Sequence, residues 1–388
     1  MVGRKSELLK LQRLLRGYPV VGIVGARQVG KTTLTRAFTK MTGGKTHFFD
    51  LENSEDLARL DDPALSLKPL QGLVVIDEIQ RRPEMFPALR VLADRPGRRG
   101  RYLVLGSASP RLLQQGSESL AGRIAYHELG GFGFDEVGQR EWEKLWFRGG
   151  FPPSFLARSD ATSDDWRRRF IRTFLERDLP ELGITIRSVI LNRFWSMLAH
   201  YHGQIWNASE FGRSFGVADT TVRHYLDLLT GALVVTQLLP WHENISKRQV
   251  KAPKIYIRDS GILHSLLGIR SQQDLEKHPK VGASWEGFLL GQIIRRLGVE
   301  PEDCFYWATH GGAEIDLIVR HGRAKFGFEI KRTTRSHVTP SMRSALADLN
   351  LDRLDIIHSG ETTFGLGRKI RAVAWKRLLT DLKPLVKI

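Results

Sequence analysis

Short apolar runs rich in β-branched residues recur through the first part of the chain, and between them apolar side chains return every three or four positions. Residues 19–24 (PVVGIV), 46–51 (THFFDL), 73–77 (LVVID) and 101–107 (RYLVLGS) predict strands. Leu8, Leu11, Leu14 and Leu15 fall on one face of a helix that Ser6 can cap. Residues 31–41 (KTTLTRAFTKM) predict the helix after the first strand, and 87–93 predict another. Strands alternating with helices at this spacing imply a parallel sheet covered on both faces, an α/β fold.

The pattern then changes twice. A glycine- and proline-rich break at 147–153 (FRGGFPP) closes a first unit, 1–150. Trp166-Arg167-Arg168-Arg169 opens a basic helical segment that runs to Leu179, which is a solvated face or a DNA contact. In 207–229, a short helix, a Gly216-Val217 turn and a second helix capped by Asp219 share apolar positions Phe211, Phe215, Val217, Val222, Tyr225, Leu226 and Leu229. A strand at 232–239, basic residues and the strand Ile255-Tyr256-Ile257 follow, so 151–280 reads as a helical linker and a winged helix. Its second helix would present Thr220, Arg223 and His224 to DNA, with Lys247, Arg248 and Lys251 on phosphates; a lid or protein dock is the alternative use. From Val281 a helix (284–295) and strands at 304–307, 313–319 and 325–331 define a third unit, 281–388.

Chemistry enters at the end of the first strand. Gly25-Ala26-Arg27-Gln28-Val29-Gly30-Lys31-Thr32 matches G-x-x-x-x-G-K-[ST], with strand before it and helix after it. Glycines let backbone amides turn inward on phosphates, and the helix N-terminus favours negative charge. Gly25, Gln28, Val29, Gly30, Lys31, Thr32 and Thr33 are therefore the expected ATP-binding positions, with Lys31 on the β- and γ-phosphates and Thr32 on Mg²⁺. The third strand ends in Asp77-Glu78: Asp77 would hold Mg²⁺ through water, and Glu78 would activate the attacking water. Ser107 closes the next strand, where a small polar residue can reach the γ-phosphate or cap a turn.

In the third unit, Asp316 and Glu329-Ile330-Lys331 stand on strands joined by a short turn, so their side chains project onto one face. Asp316, Glu329 and the Ile330 carbonyl can hold Mg²⁺, and Lys331 can orient water. The constellation resembles the PD-(D/E)XK restriction-endonuclease-like site, with Glu286 as the helix-borne acid that family often adds. Gly312 replaces the proline of the nominal motif, which leaves open DNA binding without cutting, or a plain Glu329–Lys331 ion pair.

Net charge of +17 and pI near 10.1 point to a polyanionic partner, DNA first. The single Cys304 excludes a disulfide framework and fits a reducing cytoplasm. Residues 1–15 do not read as a signal peptide, and no apolar run is long enough to span a membrane.

Gly3-Arg4, GARQVGKTTL, LVVIDEIQ, LVLGSAS, Ser119-Leu120-Ala121-Gly122-Arg123, Phe174 to Leu179, Lys254 to Gly261 and Gly312 to Asp316 occur in this order. In that order the chain resembles prokaryotic AAA-type P-loop ATPases fused to a C-terminal domain long labelled as of unknown function. The resemblance implies a homo-oligomer such as a hexameric ring, with ATP between subunits. It also makes Arg123 the candidate for a catalytic arginine supplied to a neighbour, against internal pairing or DNA contact. The expected activity is DNA-dependent ATP hydrolysis that remodels or translocates DNA. An ATP-switched signalling or defence protein, an ATP-dependent nuclease and a DNA-binding regulator with a structural ATP site are the rivals.

Overall fold

The computed structural model describes residues 2–97, 100–107, 118–243 and 247–386. Helix α1 (Lys5–Gly17) leads into β1 (Val20–Gly25), α2 (Lys31–Thr42), β2 (Thr46–Asp50), β3 (Gly72–Asp77), α3 (Met85–Asp94), β4 (Gly100–Ser107) and β5 (Ile124–Glu128). The five strands pair in the order β2-β3-β4-β1-β5, every pair parallel. All six residues of β1 are buried, as a central strand with both faces covered requires. One sheet face packs on α3 through Val74, Ile76, Phe86 and Leu89. The other carries Val21, Ile23 and Val75 into a core shared with the middle of the chain.

Helix α1 starts two residues earlier than a Ser6 cap would place it. Arg4 stands at the cap position and Ser6 Oγ instead donates to Asp135 Oδ2 at 2.8 Å.

The middle unit contains α4 (Asp160–Thr173), α5 (Ser188–His200), β6 (Gln204–Ile205), α6 (Ala208–Phe215), α7 (Asp219–Gly231), β7 (Val235–Pro240) and β8 (Lys254–Ile257). Asn207 caps α6 by accepting from Glu210 N. Asp219 is the first helical residue of α7 rather than its cap, and its carboxylate takes the Ser209 hydroxyl at 2.7 Å, tying the two helices together. Phe194, Phe211, Val222 and Leu226 fill the angle between them.

The third unit contains α8 (Val281–Leu297), β9 (Cys304–Ala308), β10 (Glu314–His321), β11 (Ala324–Ile330), α9 (Pro340–Asp348), β12 (Arg353–His358), β13 (Phe364–Gly365) and β14 (Ile370–Ala374). Its strands and the middle hairpin form one sheet, β13-β14-β12-β11-β10-β9-β7-β8-β6, because β7 and β9 pair in parallel at Leu239–Phe305 and Pro240–Tyr306.

The glycine-rich break at 147–153 is not an exposed linker. Phe147 and Phe151 are buried, Gly150 N donates to Asp259 Oδ2 at 2.7 Å, and Gly150 O accepts from Phe132 N at 2.7 Å. A Cβ on Gly149, whose φ is +78°, would lie 2.1 Å from Asp259 Oδ1, so glycine is required there. Phe132, Phe134 and Trp146 share a core with Trp285, Phe288 and Tyr306 of the third unit. The units therefore meet through packed side chains. Among the described residues, no helix is long and apolar enough to cross a membrane.

Candidate functional site

Two sites follow from this arrangement, one at the C-terminal edge of the first sheet and one where the middle hairpin meets the third unit. At the first, β1 runs directly into the glycine loop. A Cβ on Gly25 would approach Leu129 O to 2.5 Å, so the backbone fits there only without a side chain. Gln28 (φ 63°) and Gly30 (φ 101°) adopt left-handed conformations that curl the loop into a nest of amides at the start of α2. Gln28 Oε1 accepts from Trp166 Nε1 at 3.1 Å, while the Val29 side chain is buried in the core. Val29 O accepts from Arg4 Nη1 at 3.3 Å. Thr33 is exposed on the first turn of α2.

Lys31 is 6% exposed, and its ammonium donates to Gly25 O at 3.0 Å and Ala26 O at 3.2 Å. Burial pulls its pKa down, against the opposing pull of Glu78 and Asp77. Thr32 Oγ1 donates to Asp77 Oδ2 at 2.8 Å, so the hydroxyl and carboxylate expected to share Mg²⁺ already stand together. Burial raises the pKa values of Asp77 and Glu78. Glu78 sits at φ 57°, ψ 42°, a strained position for a glutamate directly after a buried strand, and Gln80 Nε2 donates to its Oε2. Ser107 pairs with Gly25 in the sheet register. With Glu78, Arg27, Asp178 and Glu181 it lines a cavity of about 180 Å³.

Arg123 lies at the other end of the sheet. Its carbonyl accepts from Val20 N, so the length of β1, roughly 16 Å, separates it from the loop of its own chain. Its guanidinium pairs with Asp94 Oδ1 at 2.5 Å and remains partly exposed.

A contact that motif spacing did not reveal closes over the loop. Arg27 Nη1 binds Asp178 Oδ1 at 2.6 Å and Glu181 Oε2 at 3.0 Å, across more than a hundred residues. Asp178 ends a π-helical turn, Phe174–Asp178, a local irregularity that the run Phe174 to Leu179 carried without announcing its partner.

At the second site, α8 brings Glu286, β10 brings Asp316, and β11 brings Glu329, with Lys331 just beyond it. Leu317 pairs with Phe328, which sets Asp316 beside Glu329 across the ladder, and Ile330 N donates to Asp316 Oδ2 at 2.8 Å. Lys331 Nζ and Glu329 Oε1 are 2.6 Å apart, while the buried Glu329 Oε2 has no hydrogen-bond partner among the described residues. Two residues absent from the sequence expectation dominate the centre. Lys254 Nζ from β8 lies 3.1 Å from Glu286 Oε1, 2.5 Å from Glu314 Oε1 and 3.4 Å from Asp316 Oδ1. The Tyr256 hydroxyl donates to Glu286 Oε1 at 2.6 Å. Burial, reinforced by Asp316, pushes Glu286 and Glu329 up to about 7. Among the described residues, no three Asp, Glu, His or Cys side chains form a metal-ligand group. As arranged, these carboxylates fit an ammonium rather than a divalent ion. An alternating Lys-x-Tyr on a buried strand was the available signal.

On the middle unit, Thr220, Arg223, His224, Arg248 and Lys251 are exposed. Lys247 is not free: its ammonium lies 2.6 Å from Asp348 Oδ2 and donates to Ser344 Oγ at 2.5 Å, both on α9.

The AAA domain family matches residues 17–138, and two domains of unknown function, DUF8612 and DUF4143, match 139–273 and 281–378. The uncharacterized proteins Rv2008c of Mycobacterium tuberculosis and Mb2031c of Mycobacterium bovis are each 51% identical over 380 residues, 98% of this chain and 85% of theirs. The Walker-type ATPase PABY2304 of Pyrococcus abyssi aligns with 69% of this chain and 96% of its own, at 16% identity and a TM-score of 0.46.

Proposed function

The chain belongs to the family of the mycobacterial proteins Rv2008c and Mb2031c and carries an AAA-type P-loop domain; on that premise we propose that it is an Mg²⁺-dependent ATPase that acts on DNA. The observation that carries the ATPase reading is the joint placement of Lys31, Thr32, Asp77 and Glu78 around one glycine loop. Lys31 binds phosphate oxygens in place of the two carbonyls it now meets. Thr32 and Asp77 would hold Mg²⁺, which would supply positive charge beside the phosphates. Glu78, within one residue of Asp77, orients the attacking water. Ser107 lines a cavity with Glu78, where its hydroxyl would meet the terminal phosphate.

Arg123 is too far from the loop of its own chain to take part there. Supplied to a neighbouring subunit it completes the active site, which makes the active form an oligomer.

Support for DNA comes from the net charge of +17 and from the exposed Thr220, Arg223 and His224 on α7. The order α5-β6-α6-α7-β7-β8 supports a winged helix. The helix-strand order and the Asp316, Glu329, Lys331 and Glu286 set support a nuclease-like third unit that binds DNA without cutting. A protein switch that answers to a partner protein is the second reading, favoured by the Lys247–Asp348 contact that ties one basic residue down.

The deciding experiment measures ATPase rate with single-stranded, duplex and branched DNA while recording oligomer size. Stimulation by at least one DNA form is expected. A rate indifferent to every DNA removes the DNA assignment and leaves the switch.

A further inference from the structure

Strand β8 belongs to the middle hairpin, yet it begins inside the acidic cluster of the third unit. Lys254 is 3% exposed, and its ammonium meets carboxylates from α8 and from two positions of β10. These contacts, 2.5–3.4 Å, suit an N–H donor. A magnesium ion needs oxygens at about 2.0–2.1 Å on all sides, and it would have to occupy the space that the ammonium fills. Tyr256 follows two residues later on the same face and donates to the same Glu286 oxygen. β8 thus supplies both donors to Glu286. Glu329 Oε2, buried beside Asp316 and without a hydrogen-bond partner among the described residues, is an acceptor that Lys254 does not satisfy. Buried acceptors of this kind ordinarily have a partner.

We propose that Lys254 is the resident cation of this cluster and that its ammonium and a divalent metal ion exclude one another. The inference rests on the nuclease-like reading of Glu286, Asp316 and Glu329. The far end of the strand is anchored on the first unit: Arg258 pairs with Glu128 at the exit of β5, and Asp259 Oδ2 accepts from Gly150 N. β8 is thus fixed at one end by the acidic cluster and just beyond the other by the first unit.

The test titrates Mn²⁺ into nucleotide-free, full-length protein and follows the free ion by electron paramagnetic resonance. Lys254→Met should bind Mn²⁺ at least tenfold more tightly than the wild type, and adding Asp316→Asn should abolish the gain. Tight, Asp316-dependent binding already in the wild type would overturn the exclusion by Lys254 while leaving the acidic site standing. A folded Lys254→Met variant that binds no Mn²⁺ would remove the nuclease-like reading itself. Because Lys254→Met strands buried carboxylates and can fail to fold, the wild type provides a second measurement. Reductive methylation of Lys254, quantified by mass spectrometry, should rise several-fold in saturating Mn²⁺ while that of Lys31 does not. Bound, Asp316-dependent Mn²⁺ without increased labelling would overturn the proposal.

Discussion

Lys31 and Lys254 are both buried beside carboxylates, but they are held in opposite ways. Lys31 rests on two neutral carbonyls, and burial lowers its pKa. Lys254 pays the same burial, yet Tyr256, Asp316, Glu286 and Glu314 outweigh it and raise its pKa well above the ordinary lysine value. A lysine satisfied by carbonyls is in reserve for an incoming anion. One surrounded by carboxylates is already committed, and removing it leaves buried negative charge without a partner. The first site is therefore arranged for a ligand and the second for itself.

The largest expected effect falls on the first site. Lys31→Ala should abolish tight ATP binding with little change in thermal stability, since it strands no carboxylate. Equilibrium binding of a fluorescent ATP analogue, alongside a melting curve, checks both halves.

Arg123→Ala sharpens the picture of that site. It should bind ATP normally and hydrolyse it about 10³-fold more slowly, as loss of an arginine finger does. Mixing it with Lys31→Ala subunits should restore part of the rate. A monomer with full turnover at every concentration would show that no neighbouring arginine is needed.

Lys254→Ala tests the committed lysine. It should cost about 3–5 kcal/mol of stability, the range for breaking a buried ion pair. Urea unfolding compared with that of Lys31→Ala reads the contrast directly, and equal losses in the two variants would erase it.

The smallest effect concerns the seam where the three units meet. His264 Nδ1 meets Phe147 O at 3.0 Å and its Nε2 meets Ser284 Oγ at 2.7 Å, while burial pulls its pKa down to about 3. The unfolded histidine takes a proton near pH 6.5, so folded stability declines as pH falls from 6.5 toward 3 and is intact above 6.5. His264→Asn removes this term, and the stability gap between wild type and variant should shrink by about 2 kcal/mol from pH 7 to pH 5. Glu286 and Glu329, raised to about 7, act in the opposite sense over that window, so the gap rather than either curve is the readout.

The glycine loop and Asp77-Glu78 were legible because their chemistry is local: eight consecutive residues and one strand end specify the geometry. The first three strands of the third unit, β9 to β11, were legible for the same reason, from apolar runs broken by a turn, whereas β12, β13 and β14 were not read. Lys254 was not, because its partners stand 32 to 62 residues away and their meeting depends on β7 joining β9. Asp178 was hidden likewise, since its role over Arg27 spans 151 residues. Ser6 misled because a cap needs only the right residue type, whereas the actual helix start is set by Arg4. That side chain is drawn to Glu136 at 2.5 Å and to the carbonyl of Gly130 at 2.9 Å. The break at 147–153 marked a unit boundary without its packing, because glycine serves flexibility and tight packing alike, and here Asp259 decides for packing.

The claim on which the rest depends is that Glu78 activates water for ATP held on the loop. A single-turnover measurement with Glu78→Gln and radiolabelled ATP addresses it without requiring DNA or a known partner. The variant should bind ATP as the wild type does and retain it uncleaved, with hydrolysis slowed by about 10²–10⁴-fold. Hydrolysis by Glu78→Gln at close to the wild-type rate would contradict it.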